Sequence, residues 1–171
     1  MSDLATRDPM PAPAIERRDE IGRLVAVTWH GAGTSVESGG ARWLVAVDGS
    51  ECSLRTAQAA ARVAALGLDA EVDLVHVQPW LVKEAAETEL SQRGWAATAQ
   101  VRQMLDAASV RWRLHVVMGE AAPEIAGMAE SLGSLGIAIG SHGLSAVESL
   151  LLGSVAYKIV RVAQRPVMIV R

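Results

Sequence analysis

From residue 42 onward, short apolar runs alternate with longer segments of helical periodicity, and this alternation limits the fold more than any other feature. The first run, residues 43–47, is uninterrupted by polar residues and ends at the turn Asp48-Gly49-Ser50. Such a run is typical of a strand that is buried on both faces, as in a parallel sheet. Parallel neighbours are joined by right-handed crossover helices. The sequence therefore predicts an α/β fold: a doubly wound open sheet of five parallel strands in a single domain.

Local signals place the boundaries of the predicted elements. Ser50 suits the N-cap of a helix that runs to about Leu66, where Gly67 ends it. Pro123 suits the first turn of a short helix, and Pro166 ends the last helix. The other predicted helices cover about residues 84–108 and 155–163, and the other predicted strands cover residues 72–77, 112–117, 135–139 and 167–170.

The first 40 residues lack this regular pattern. Residues 1–20 carry three prolines and mixed charge without periodicity, which predicts a flexible arm. Residues 24–29 suit either a short strand or a buried helical turn, and the Gly- and Ser-rich residues 31–41 are typical of a linker. We therefore divide the chain into an N-terminal extension, residues 1–40, and a domain of residues 41–171.

Composition excludes several classes of function. The formal net charge of −3 gives no basic field, so we expect no general affinity for nucleic acid. No apolar run approaches the roughly 20 residues that span a bilayer, and the N-terminus does not have the pattern of a signal peptide. The single cysteine, Cys52, fits a reducing compartment, and we expect a cytoplasmic protein. No pattern of His, Cys and Asp indicates a metal site, and we interpret His76 and His115, which lie within predicted strands, as structural.

The segment after the fourth predicted strand carries the strongest functional signal. Gly140-Ser141-His142-Gly143 is followed by nine residues and then by Gly153-Ser154, which opens a helix. Glycines let backbone amides approach an anion, and the first amides of a helix lack internal partners and favour phosphate. Ligands of open parallel sheets bind beyond the carboxyl ends of the strands, where the strand order reverses. The sequence therefore predicts a phosphate-binding site at this end of the sheet.

The pattern G-x2-G-x9-G-S resembles the ATP-binding signature of the universal stress protein family. Three further segments are similar to that family: residues 45–51 (VAVDGSE), residues 74–77 (LVHV), and most of residues 140–171. The resemblance covers roughly residues 41–171 and implies a Rossmann-like fold, similar to the adenine nucleotide alpha hydrolases, with the first and fourth strands side by side.

The resemblance also implies the residues of an ATP site. Asp48 and the Val77 backbone would hold the adenine and the adjoining sugar, with Ala46 and Val47 packing nearby. The ribose and phosphates would be lined by Ile139, Gly140, His142 and Gly143, and the phosphate chain would contact Gly153, Ser154 and Val155. Any Mg²⁺ or Mn²⁺ would be carried by the nucleotide, and the protein would form a homodimer through Val167 and Ile169 of its last strand.

Three functions remain open at this point. A nucleotide-dependent regulator of the stress response is favoured. An ATPase or phosphotransferase is disfavoured, because fast phosphoryl transfer needs a Lys or Arg against the transferred group, and the signature has neither. The chain has two lysines, Lys83 and Lys158, no Walker P-loop and no residue that we assign as catalytic, so we expect at most slow hydrolysis. The third is a dimeric protein-interaction module that binds no nucleotide.

Overall fold

A single mixed sheet forms the centre of the molecule. The computed structural model describes residues 9–34, 42–67, 70–144 and 152–171. Within these ranges the strands are β1 (Ile15–Arg18), β2 (Leu24–His30), β3 (Trp43–Ala46), β4 (Glu71–Gln78), β5 (Arg111–Met118), β6 (Gly136–Gly140) and β7 (Val167–Val170). The helices are α1 (Glu51–Ala64), α2 (Lys83–Ala97), α3 (Ala99–Ala107), α4 (Ala121–Ser131) and α5 (Ser154–Val162).

The strand order confirms the predicted doubly wound sheet. Reading across the sheet, the order is β1-β2-β5-β4-β3-β6-β7. The five strands from β3 to β7 are parallel, and β3 and β6, the first and fourth predicted strands, are neighbours. Two antiparallel strands, β1 and β2, extend this sheet beyond β5, so the complete sheet of the described residues has seven strands rather than five.

Helices cover both faces of the sheet and enclose two apolar cores. Residues of α1, α2 and α3 pack with one face of the sheet in the larger core, which includes Leu74, Leu90 and Leu114. Residues of α4 and α5 pack with the opposite face in the smaller core, which includes Ile125 and Ile159. The reversal of strand order between β3 and β6 therefore brings both layers to the same crevice.

Local signals set the helix ends correctly in most places. Ser50 caps α1 as predicted, because its hydroxyl accepts the backbone N–H of Ser53 at 3.1 Å. The single helix predicted over residues 84–108 is wrong: it is divided into α2 and α3 at Thr98, whose φ of −100° and ψ of 0° depart from helical values. The Thr98 hydroxyl donates to the Gly94 carbonyl at 2.8 Å and competes with regular helical bonding there.

The N-terminal extension forms a β-hairpin against β5. Ile15–Arg18, within the segment assigned to a flexible arm, forms β1, and residues 24–29 belong to strand β2 rather than to a helical turn. The Trp29 ring is buried with its centroid 5.3 Å from that of Trp95 on α2, and its indole N–H donates to the Pro11 carbonyl. The hairpin is therefore held by apolar burial as well as by strand pairing.

A largely buried group of polar and charged residues joins the hairpin side of the sheet to β4. We call it the Asp73 cluster; its members are Thr28, Arg42, Glu71, Asp73, Arg113 and His115. Arg113 donates to both carboxylate oxygens of Asp73, at 2.8 and 3.2 Å, and Nε2 of His115 lies 3.4 Å from Oδ1. Burial opposes ionisation of Asp73, but the hydrogen bonds from His115 and Arg113 outweigh it and lower the pKa of the carboxyl group. Asp73 is therefore ionised in the folded protein at neutral pH.

Candidate functional site

A cavity lies beyond the carboxyl ends of the parallel strands, at the point where the strand order reverses. Its volume is about 270 Å³, near the lower end of the range for small-molecule sites, about 300–1,000 Å³. The turn after β3 and the loop after β6 meet here, because β3 and β6 are parallel neighbours. We call the part lined by Val75, His76 and Val77 the β4 side, and the part lined by residues 140–144 and 153–155 the β6 side.

The Asp48 carboxylate joins the two loops of the cavity. Its Oδ1 accepts the backbone N–H of Ser50 at 3.0 Å, and its Oδ2 accepts the backbone N–H of Leu144 at 3.1 Å. Gly143 lies so close that an added Cβ would be 2.7 Å from Oδ2. A side chain at position 143 would therefore require the Asp48 carboxylate to move, and Asp48 shapes the β6 side as well as lining the cavity.

The N-terminus of α5 is held against the loop after β6. The backbone N–H of Gly153 donates to the Ser141 carbonyl at 2.7 Å, and a Cβ on Gly153 would lie 3.0 Å from that oxygen. Gly153 is the N-cap of α5 and, as a glycine, makes no side-chain hydrogen bond to the first amides. Amides at the start of a helix lack internal partners, and the positive end of the helix dipole lies there. This end of the cavity therefore has the chemistry of an anion-binding site.

Ser141 and His142 add polar side chains to the β6 side. Oγ of Ser141 lies 2.9 Å from Nδ1 of His142, and Ser141 is buried while His142 is half-buried. His142 thus combines a hydrogen-bonded ring nitrogen with partial access to solvent. It can contribute a donor to a ligand in the cavity when the ring nitrogen that faces the ligand carries a proton.

The β4 side is more enclosed and contains a buried imidazole. Nδ1 of His76 lies 2.7 Å from the Val47 carbonyl oxygen, and its Nε2 lies 3.1 Å from the Gln78 amide nitrogen. Burial lowers the pKa of His76, although the hydrogen bond to Val47 and the charge of Asp48 act in the opposite direction. Ala121 and Ile125 of α4 cover this region with apolar surface. The β4 side therefore suits an uncharged, planar part of a ligand.

The structure places all eleven residues that the sequence analysis assigned to the site on this one cavity: Ala46, Val47, Asp48, Val77, Ile139, Gly140, His142, Gly143, Gly153, Ser154 and Val155. Eight more of the described residues line the cavity and were missed: Ser53, Val75, His76, Ala121, Ile125, Ser141, Leu144 and Ala156. Ser141 could have been found from its position between two assigned residues, and His76 from its place before Val77. The α4 residues carry no local signal, because that helix reaches the cavity through tertiary packing alone.

No group of three or more His, Cys, Asp and Glu side chains in the described residues is arranged to hold a metal ion. No helix within these ranges combines the length and the apolar composition needed to cross a membrane.

Comparison with known proteins gives consistent matches. The model of the universal stress protein family matches residues 41–171. Universal stress protein MJ0531 of Methanocaldococcus jannaschii is 30% identical over 137 residues, which cover 75% of this chain and 80% of that protein.

Solved structures share the fold. The structure of hypothetical protein MJ0577 is 25% identical, with a TM-score of 0.65, and the match covers 76% of this chain and 94% of that one. A universal stress protein from Archaeoglobus fulgidus in complex with dAMP is 22% identical, with a TM-score of 0.56, over 77% of this chain and 98% of that one. Matches of this kind leave about a quarter of the chain uncovered, and the β1–β2 hairpin lies outside the residues that the family model matches.

Proposed function

The chain belongs to the universal stress protein family, and we propose that it binds ATP in the cavity between β3 and β6 and acts as a nucleotide-dependent regulator in the stress response. One observation carries the proposal. A turn with a carboxylate, a glycine-containing loop and the uncapped N-terminus of α5 line a single cavity at the switch point of the sheet. The dAMP complex of the Archaeoglobus fulgidus protein fits the proposal, since that relative of the same fold holds an adenine nucleotide.

The two sides of the cavity suit the two ends of ATP. The β4 side, with Val47, Val77 and the apolar cover from α4, would take the adenine, and Asp48 would adjoin the sugar. Gly140, His142 and Gly143, followed by Gly153 and the amides of Ser154 and Val155, would take the phosphates, because amides at a helix start that lack internal partners favour anions. Mg²⁺ or Mn²⁺ would arrive with the nucleotide and be held through its phosphates.

Binding itself, rather than turnover, is the proposed activity. None of the described lining residues is a lysine or an arginine, and phosphoryl transfer depends on such charges against the transferred group. We therefore expect hydrolysis to be slow or absent. Because binding without fast hydrolysis is proposed, we propose a regulatory role for the protein. We also propose a cytoplasmic location.

Gly153→Val should abolish ATP binding. The branched side chain would meet the Ser141 carbonyl, which lies 3.0 Å from the position of a Cβ, and would move the start of α5 away from the loop after β6. The measurement is a calorimetric titration of the nucleotide-stripped protein with ATP and magnesium. We expect about one ATP per chain for the wild type and at least a hundredfold weaker binding for the variant, a difference of about 2.7 kcal/mol.

Gly127→Val is the matched control for this experiment. Gly127 lies on α4 with nothing within 4 Å of an added Cβ, so the same change there should leave binding intact. Equal affinity of wild type and Gly153→Val would contradict the site. Absence of binding by the wild type would favour the protein-interaction module that needs no nucleotide.

We also propose that the protein forms a homodimer through β7. This strand is one edge of the sheet and consists of four apolar residues, of which Ile169 is 40% exposed. Apolar side chains of α5 continue the surface, since Tyr157 and Val160 are both about half exposed. An exposed edge strand with apolar residues readily pairs with another strand.

Glutamate at both Val167 and Ile169 should therefore give monomers. Light scattering of the purified protein measures the mass, and circular dichroism checks that the variant remains folded. Ile15→Glu on β1, the opposite edge of the described sheet, is the control, because Ile15 is also exposed (53%). A dimer that survives the β7 double substitution would disprove this interface.

A further inference from the structure

Among the described residues that line the cavity, His76 alone is both ionisable and buried, with 9% of its surface exposed. It lies on β4, beside the position where the adenine is proposed to bind. Its two ring nitrogens both have partners, which are the Val47 carbonyl and the Gln78 side-chain amide. The arrangement therefore constrains the protonation state of the ring as well as its orientation.

The partners define which nitrogen carries the proton. A carbonyl oxygen can only accept, so Nδ1, at 2.7 Å from the Val47 oxygen, must donate. In the neutral ring, Nε2 then has to accept, and the Gln78 amide N–H at 3.1 Å donates to it. Both bonds are satisfied by the neutral Nδ1–H tautomer. This state leaves no polar atom of the ring unpaired.

The bond to Val47 is important for the shape of the cavity. Val47 lies one residue beyond β3, between the strand and the turn that contains Asp48. Its backbone N–H donates to the Val75 carbonyl at 2.9 Å, and its own carbonyl accepts from His76. The imidazole thus continues the connection between β3 and β4 after the regular pairing of the strands has ended.

Protonation would disturb this arrangement. A second N–H, on Nε2, would face the Gln78 NH₂ group, and Gln78 is itself buried, so its amide would have to turn over within a packed site. In the part of the chain that the structure describes, the ionisable groups that line the cavity with His76 are Asp48, whose carboxylate already accepts two backbone N–H groups, and His142 on the β6 side. The helices that border the cavity contribute uncharged lining residues: Ser53 from α1, Ala121 and Ile125 from α4, and Ser154, Val155 and Ala156 from α5.

We propose that His76 is a positioning residue of the nucleotide site, that it fixes the Val47 carbonyl in its neutral Nδ1–H form, and that ATP affinity falls when the ring is protonated. This inference rests on the proposed function. A bound nucleotide removes the remaining solvent contact of the ring and so penalises its charged form further. By linkage, a ligand that prefers the neutral form binds less well as the pH falls. Burial also lowers the pKa of His76 in the free protein, so the fall in affinity develops only below the pH at which a histidine ordinarily takes up its proton.

The test is a calorimetric titration of the full chain with ATP and magnesium at pH 7.5 and pH 5.5. For the wild type we expect affinity to fall at the lower pH by up to about tenfold, since a single linked proton gives at most tenfold per pH unit below the pKa of the ring and burial holds that pKa below its usual value. His76→Asn places an amide N–H near the position of Nδ1 but cannot titrate. At pH 7.5 we expect the ATP affinity of this variant to lie within about threefold of that of the wild type. A slightly displaced hydrogen bond should cost no more than this.

Comparing the wild type with His76→Asn separates the effect of protonating the His76 ring from the other effects of pH on binding. Phosphate groups of the nucleotide also titrate, with a pKa of about 6, but they affect wild type and variant alike. His76→Leu, which removes the donor, should bind about tenfold more weakly than His76→Asn at pH 7.5.

The possible results distinguish failure of this inference from failure of the proposed function. If the wild type and His76→Asn lose affinity equally at pH 5.5, the inference is wrong while the proposed function stands. If the wild type binds no ATP at either pH, both are wrong. Nitrogen-15 chemical shifts of the histidines in the free protein give an independent readout, and a signal of His76 from any form other than neutral Nδ1–H at pH 7.5 would overturn the assignment.

Discussion

Replacing Asp73 with alanine should lower the free energy of unfolding by about 3 kcal/mol, because it leaves the largely buried Arg113 without its counter-charge, while Arg42 keeps Glu71 2.9 Å from its Nε. Arg113 donates to both oxygens of this carboxylate, and Arg42, 93% buried, has its Nη1 3.8 Å from Oδ2. Urea denaturation followed by circular dichroism measures the loss. Glu130→Ala removes a largely exposed partner of Arg165 and should cost less than about 1 kcal/mol. A loss of that smaller size in Asp73→Ala would show that the Asp73 cluster adds little to stability.

The same residue has a predictable effect on acid sensitivity. Its pKa is lowered in the folded protein, so its contribution to stability is present above about pH 4 and is lost as the pH falls through the folded-state value. The alanine variant lacks this pH-dependent contribution to stability. Its unfolding free energy should therefore change less than that of the wild type between pH 5 and pH 2.

Gly94→Val should destabilise the protein by about 2–3 kcal/mol through overpacking. A Cβ at this position would lie 2.5 Å from Cγ1 of Val116, a fully buried residue of β5. The close approach of α2 to the sheet thus requires glycine, although glycine within a helix costs about 1 kcal/mol relative to alanine. Urea denaturation again provides the measurement.

Gly127→Val serves as the control for this substitution too, and here its expected effect is a change below about 0.5 kcal/mol, since its surroundings are open. A Gly94→Val protein as stable as this control would mean that α2 can move away from β5 without loss of packing energy.

The parallel core could be predicted from the sequence because its signals are local. Apolar runs, Ser50 as a cap and Pro166 as a breaker each act over a few residues, and together they define β3 to β7 and most helix ends. β1 could not be predicted in this way. All four of its residues are exposed and three are charged, so its strand conformation depends on pairing with β2 rather than on its own sequence.

The charged residues inside the predicted strands illustrate a second limit. Arg113 and His115 alternate with apolar residues and look like the solvent face of a strand. In the structure, Arg113 is directly opposite Asp73 in the register of β4 and β5, and both side chains are largely buried. Register is a property of two strands, which neither segment specifies alone.

The candidate site was predictable to the extent that it depends on one loop and one turn. The glycines and Asp48 have fixed spacing along the chain, and the switch-point rule places them together. The roles that depend on contacts between distant segments were not accessible, such as the bond from Leu144 to Asp48 and that from His76 to Val47. Sequence analysis interpreted His76 as structural, and the geometry shows that it both supports the strand end and lines the cavity.

The β1–β2 hairpin also determines how many partners the sheet can accept. By pairing with β5, it replaces one long edge with β1, which has four residues, three of them charged, and an irregular register between Arg17 and Arg18. Short, charged and irregular edges resist strand addition. Of the two outer strands of the described sheet, β7 alone is apolar and regular. A further strand is therefore expected to add at this edge only. Strand addition would then end with a closed pair, and growth into a filament would be blocked.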